Sequence, residues 1–532
     1  VRITRAEGRR SSPLRRTADI TLPPFGRRLF LLGASTAATG VLTAAGPRIP
    51  SMSTREPFTL GVASGDPSSD GMVLWTRLAP DPLAADGLGG MPARVVPVEW
   101  EVARDERFTV IEQRGTVDAV PEAAHSVHVE TTGLAPGREY FYRFRANRAV
   151  SPAGRTRTAP PAGAVGPALT TCVASCSNYP IGYFTAYRRL AEDEPDLVLH
   201  LGDYQYEYPT PEKAVRSVAG AETTELAGYR QRYAQYRSDP DLQAAHAVAP
   251  WVVVWDDHET DDDWAGDVPE DDQTREAFLA RRAAAFRAYY ENMPLRRSSV
   301  PRGYDMQLYR RVEWGGLATF HMLDTRQYRD DQACGDGQRV GCAERLDPAR
   351  SLPGAAQERW LADGFRRSRA RWDVLGQQVF FAQRDTDPGA PEKFSMDGWD
   401  GYAASRDRVT RSWVDAGVRN AVVLTGDVHV HWANEIKTDY ADPAAPTVGT
   451  ELVSSSVTSG GDGDAATDHP DLHTNPHLRF RSNRRGYVRA RWEPGQVTAD
   501  FRVLDAVTTP DLPIRTAGSF VIPDREPGLN RA

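Results

Sequence analysis

Five stretches carry residues able to do chemistry, and each follows an apolar run. Cys176, Ser177 and Asn178 follow LTTCVAS; Gly202-Asp203-Tyr204-Gln205-Tyr206 follows LVLHL; Asp256-Asp257-His258-Glu259, trailed by Asp261, Asp262 and Asp263, follows WVVVW. Asp324-Thr325-Arg326 and Gly426-Asp427-Val428-His429 close two further runs. Taken singly, each has an ordinary explanation: a helix N-cap, a solvated acidic loop, a structural histidine, or for Arg326 a structural salt bridge. Taken together they deliver carboxylates, a thiol, a phenol and imidazoles to one edge, which is a metal site. Such an anionic, oxygen-rich set suits a trivalent ion or more than one divalent ion better than zinc. The phenol of Tyr206 points to ferric iron, and Asp203, with two oxygens, can bridge to a harder ion such as calcium. Two adjacent cations clamp a phosphoryl group and lower the pKa of a bound water. Tyr204 and Glu207 have no assigned chemistry.

The elements that must position these residues are strands of an open α/β sheet, whose ligand site lies outside the carboxyl ends. LTTCVASC, a helical pattern at 183–194 and DLVLHLGD form a βαβ unit, and further strands lie at 251–257, 317–325, 372–382 and 421–430. Helical patterns fall at 274–291 and 355–369, with a helical insertion over 222–249. Before them, 58–159 alternates over short segments separated by Gly, Pro and Asp, the pattern of an all-β sandwich, and Leu134, Pro136 and Tyr140 have the spacing of a tyrosine corner. That region is similar to a fibronectin type III domain, and PPAGAVGP links it to the α/β region.

The chain has 532 residues, 40% of them hydrophobic and 26% charged, as in a folded globular protein. Its first 28 residues hold eight arginines and two acids, and LFLLGASTAATGVLTAAG comes next without a charge. Paired Arg27 and Arg28 before that run resemble a twin-arginine export signal over 1–46; a membrane anchor is the alternative, disfavoured by its shortness and its Gly, Ala, Thr and Ser content. The expected partners are therefore the twin-arginine export machinery and a secreted or cell-envelope location, with no stable membrane anchor after cleavage. Removing the segment takes the charge from −8 to 56 − 70 = −14, a surface that repels nucleic acid and anionic membranes. Cys334 and Cys342 flank a Gly-rich loop and read as a local disulfide; Cys172 reads as a buried small hydrophobe.

The strings themselves resemble a family. GDYQY has the Gly-Asp-x-x-Tyr pattern of purple acid phosphatases and their calcineurin-like relatives. DDHE and GDVH are similar to those proteins' Gly-Asn-His-Glu and Gly-His-x-His, with Asp257 and Asp427 replacing Asn and His. Those departures, with VASC, MLDTRQYRDDQACGDG, LGQQVFFAQ, SMDGWDGYAASR and LTGDVHVHWA, resemble the PhoD family of alkaline phosphatases over 58–505. The resemblance implies a four-layer α/β/β/α metallophosphoesterase core at 168–505, behind the sandwich and before a C-terminal tail at 506–532. It implies Fe(III) held by Cys176, Asp203, Tyr206 and His429 rather than His431, and Ca(II) held by Asp257 and Asp427 with Asp203 shared. His258 would lie beside the substrate with Glu259 fixing its orientation, and Arg326 and Asn178 would contact phosphate. The implied reaction is hydrolysis of a phosphate ester substrate, a phosphomonoester, by a metal-bound hydroxide or oxide. A phosphodiesterase or phospholipase D-like esterase with the same site is one alternative, and a binding protein with structural metals is another.

Overall fold

Strands covered on both faces need apolar residues at every position, and the Val- and Leu-rich runs before the acidic motifs supply them. The computed structural model describes residues 56–270, 273–389 and 391–532, so the expected export segment at 1–46 lies outside the described residues. Leu169–Ala174, Leu197–Leu201 and Pro250–Val254 run parallel at neighbouring positions of a ten-stranded sheet. Ala318–Met322, Trp372–Gly376, Ala421–Thr425 and Thr447–Val453 run parallel in a seven-stranded one. Both sheets are flanked by antiparallel strands, such as Gly486–Trp492 in the first and His431–Lys437 in the second.

Alternation along the strands sets the layers. Val374, Val422 and Leu424 share one core with Val173, Val198 and Phe501 of the first sheet. The intervening Leu375 and Val423 pack instead with Leu361 and Phe365 of the helix Ala355–Arg367 and with Val409 and Trp413 of Ala403–Asp415. The outer face of the first sheet carries helices that include Thr185–Glu192, Pro240–Val248 and Arg275–Asn292. The order is helix, sheet, sheet, helix. Local signals start these helices: Asp239 accepts from Asp241 N and Leu242 N ahead of Pro240, and Thr274 Oγ1 accepts from Ala277 N.

The region 58–159 does form two facing sets of strands, and Tyr140 Oη accepts from Ala135 N at 2.9 Å, making the tyrosine corner. Val96–Ala103, Ile111–Ala119, Glu139–Ala146 and Gly154–Arg157 belong to a separate five-stranded sheet. Val62–Gly65, Val73–Arg77 and Ser126–Glu130, however, continue the ten-stranded sheet, because Val62–Gly65 pairs in parallel with Pro250–Val254. Joining two strand edges leaves neither with a row of unpaired backbone groups. Buried Arg77 adds to the joint, donating to Asn292 Oδ1 and to the Arg230 carbonyl. The boundary drawn near 160 is therefore not a break in backbone pairing.

The expected tail at 506–532 is also corrected. Arg515–Pro523 pairs with Gln496–Val503 along its length, and Phe520 and Ile522 lie in the core. Its alternation is diluted by Gly518 and Ser519, which is why the pattern reads weakly. Cys334 and Cys342 form the expected disulfide, and Cys172 and Cys176 are free and buried. Among the described residues no helix is long and apolar enough to cross a membrane.

Candidate metal centre

The carboxyl ends of the two sheets meet where Gly426 permits it, and Gly202 permits a close approach of two strand ends within the ten-stranded sheet. A Cβ on Gly426 would lie 2.9 Å from that of Ser175; on Gly202, where φ is +104°, it would lie 2.5 Å from that of Asp256. These are the glycines of GDVH and GDYQY, so each motif begins with the residue that allows neighbouring strands to converge. Backbone bonds then stitch the loops together: Cys176 N to Gly202 O, Ser177 N to Asp203 O and Val457 N to Ser175 O. Cys176, Asp203, Asp427 and His429 all take left-handed backbone, with φ of 61°, 55°, 62° and 55°. Such conformations are uncommon outside glycine and collect at functional sites.

Three overlapping clusters result, each with ligand atoms within 4.8 Å of one another: Cys176, Asp203 and His429; Asp203, Asp257 and His258; Asp257, Asp262 and Asp263. Tyr206 joins the first, its hydroxyl donating to Asp203 Oδ2 at 2.8 Å and lying 3.3 Å from His429 Nε2. Ser459 Oγ donates to the same phenol oxygen at 2.6 Å. Cys176 Sγ lies 3.8 Å from the carbonyl of half-buried Asp427. His431 turns away, its Nδ1 accepting from Ser455 N.

Electrostatics tests whether this set fits a cation. Asp203 is 2% exposed, and its Oδ1 is buried without a hydrogen-bond partner, although it belongs to two of the clusters. Burial, opposed by His258 and reinforced by Asp257, Asp256 and Glu259, holds its carboxyl well above the ordinary range. Burial and the charge of Asp203 push the Cys176 thiol and the Tyr206 phenol up as well, and burial with Asp397 brings Asp427 to about 7. His429 is held down to about 3 by burial and Arg485, so its imidazole is neutral with a lone pair to give. These groups oppose each other's ionisation, and a cation relieves all of them at once. The residues fit a multi-cation site.

Glu259, expected to orient His258, does something else. Its Oε1 accepts from Tyr204 N at 2.7 Å, and its Oε2 from Asp203 N and Asp256 N at 3.1 and 2.9 Å, tying two acidic loops together. Glu207 holds the ring instead, with Oε2 2.9 Å from Nδ1, and the Tyr206 ring lies tilted against it at 4.0 Å. Burial depresses His258, but Glu207, Asp257 and Asp203 outweigh it and keep the imidazole protonated well above its usual range.

Arg326, expected to grip phosphate, has no exposed surface. Its Nε donates to Asp256 Oδ1 at 2.7 Å, and its two terminal nitrogens grip both oxygens of Asp397 at 2.9 and 3.0 Å, with Asp257 3.5 Å away. This is the alternative weighed for it, an ion pair, and the residue braces the acidic loop from behind. Asn178 is half-buried beside Cys176 and its side chain caps nothing. Sequence reasoning assigned no role to Glu207 or Asp397, although both lie in strings it singled out. Tyr204 belongs to a buried aromatic cluster, its hydroxyl 3.0 Å from His246 Nε2.

Two mixed sheets in a helix–sheet–sheet–helix order, with these groups at their common edge, make the fold and site of a phosphate-ester hydrolase. Residues 171–501 match the PhoD-like phosphatase family and residues 43–160 match that family's N-terminal domain. Alkaline phosphatase D of Bacillus subtilis (strain 168) is 51% identical over 482 residues, spanning 89% of this chain and 82% of its own. A solved structure described as "Structure of PhoD" superposes with a TM-score of 0.88 at 50% identity, covering 91% of this chain and 93% of that one. The chain belongs to the PhoD-like phosphatase family and is a phosphoric ester hydrolase. The reading as a binding protein with structural metals is set aside.

Proposed function

We propose that this chain is an exported alkaline phosphatase acting on phosphomonoesters. In this reading Cys176, Asp203, Tyr206 and His429 hold Fe(III), and Asp203, Asp257 and Asp427 hold Ca(II). The observation that carries it is Asp203, a residue shared between two clusters of ligand atoms, with its Oδ1 buried and unpartnered. When bound, the cations offset phosphate charge and make a water nucleophilic near neutral pH.

The chain's own residues do the rest. Water forms a bond to phosphorus as the bond to the ester oxygen breaks, and protonated His258 donates to a phosphate oxygen or to the departing alkoxide. Glu207 holds that ring in place. Asn178 offers an amide to phosphate, and Arg326 keeps Asp256 and Asp257 aimed. Paired Arg27 and Arg28 before an uncharged run support the export assignment.

Elemental analysis of protein purified without chelator, with the visible phenolate-to-iron absorption, tests the metal assignment. Iron and calcium together, and loss of the band in Tyr206→Phe, are the expected outcome; zinc without iron overturns it. Comparing p-nitrophenyl phosphate with bis-p-nitrophenyl phosphate tests the substrate class, and a dominant diester rate replaces the monoesterase reading.

A further inference from the structure

A cavity of about 50 Å³ opens beside Asp427, lined in part by Phe380, Arg384, Asp397, Asp400 and Val428. One side is apolar. Phe380 meets Trp432 edge-on at 5.9 Å, and Val428, which stands between Asp427 and His429, packs on the cluster those rings form. The cavity wall and the metal-site loop are thus consecutive residues of one turn.

The charges along the wall are unequal in their partners. Asp397 is held by Arg326 and Arg329, each at 2.9 Å. Asp400 takes Arg406 on one oxygen at 2.6 Å and the Arg384 backbone N–H on the other at 2.9 Å. Arg384 differs. Its guanidinium lies 5.1 Å from the Phe380 ring and 5.7 Å from the Trp432 ring, and its one ion contact among the described residues is 3.7 Å to Asp471, beyond hydrogen-bond reach. The side chain is 22% exposed. A guanidinium stacked on aromatic rings keeps its in-plane N–H edge pre-organised for a planar or tetrahedral anion. Of its carboxylate neighbours, Asp397 and Asp400 are already paired with other arginines, and Asp471 has His469 Nδ1 at 3.2 Å.

We propose that this cavity receives the organic group of the substrate, and that Arg384 selects esters in which that group carries a second anion, carboxylate or phosphoryl, close to the ester oxygen. The inference rests on the proposed phosphomonoesterase site, since cavity and site meet at Asp427. The small volume limits the group seated beside Arg384, while longer chains continue into solvent.

The test compares kcat/KM of the metal-loaded enzyme for phosphoglycolate, ethylene glycol bisphosphate, ethyl phosphate and phosphoethanolamine, with p-nitrophenyl phosphate as control. One or both anionic esters should exceed ethyl phosphate by about ten-fold, the size of a charge-assisted contact, and which of the two leads tells carboxylate from phosphoryl. Phosphoethanolamine should fall below ethyl phosphate. In Arg384→Gln the anionic advantage should shrink to within about two-fold while ethyl phosphate keeps its rate. An equal loss for all esters, or a wild type that favours the neutral or cationic ester, overturns the proposal. Should that variant not fold, inhibition of the wild type decides: phosphonoacetate should bind about ten-fold tighter than propylphosphonate, with the gap narrowing as salt rises. Equal inhibition overturns it. Absence of p-nitrophenyl phosphate turnover in the wild type overturns the site reading and this proposal with it, whereas turnover without anionic preference overturns this proposal alone.

Discussion

At the scale of residues, two glutamates that flank the same chemistry have separable jobs. Glu207 touches the His258 ring, whereas Glu259 accepts three backbone N–H groups from the loops that carry Asp203 and Asp256. Glu207→Gln should therefore lower kcat about 10- to 100-fold with metal content unchanged, the usual cost of disturbing a group that orients a functional histidine. Glu259→Ala should leave buried N–H groups unpaired, cost about 3 kcal/mol or more, and reduce bound metal. Metal analysis beside steady-state kinetics and urea unfolding separates the two; loss of metal in both variants would contradict this division. The ligand candidates were legible because five strand ends repeat one theme. The support around them was not, because it depends on which way neighbouring side chains point. Arg326 shows the same limit: an arginine after a strand end reads equally as a phosphate clamp or a brace, and only its burial against Asp256 and Asp397 decides.

At the scale of elements, the glycine heading each motif is a spacing device. Gly202→Ala would need a left-handed backbone and would press a methyl group against Asp256. Strain alone costs roughly 1–3 kcal/mol, and the contact adds to it, so both thermal stability and bound metal should fall. A variant with unchanged melting temperature and full activity would refute the role given to that turn. Strand and helix positions were readable from apolar runs and helical patterns, as with 274–291, which covers the helix Arg275–Asn292. The late strand Arg515–Pro523 was missed because Gly518 and Ser519 interrupt its alternation while backbone pairing with Gln496–Val503 still holds it. Left-handed backbone at Cys176 leaves no trace in residue type at all, since cysteine has no preference for it.

At the scale of the whole molecule, burial of neutral histidines makes stability depend on pH. His477 is 6% exposed, and burial, against the pull of its bond to the Gln383 carbonyl, holds it down to about 4. The unfolded chain binds that proton near pH 6.5 and the folded chain only near 4, so the unfolded state holds more protons in between. The stabilisation is complete above the unfolded value and is lost as pH falls through the window, by on the order of 3 kcal/mol for this one group. Urea unfolding should show a shallower decline in His477→Gln than in the parent; parallel declines would refute the assignment. The joint at Val62–Gly65 carries a second expectation. Deleting 58–159 should expose the edge of Pro250–Val254 and yield insoluble or metal-poor protein rather than a free catalytic half. A soluble, active remainder would show that the pairing is dispensable.

That splice of two regions through hydrogen bonds of one sheet also has a mechanical meaning. Beads joined by a flexible tether yield to a pull one after another, but here a load applied to the sandwich passes through the Ser64 and Gly65 pairings into Pro250–Val254, the strand that leads to Asp256 and Asp257. The sandwich has no freedom to swing over the acidic loops as a lid. It acts as a buttress rather than as a closing domain.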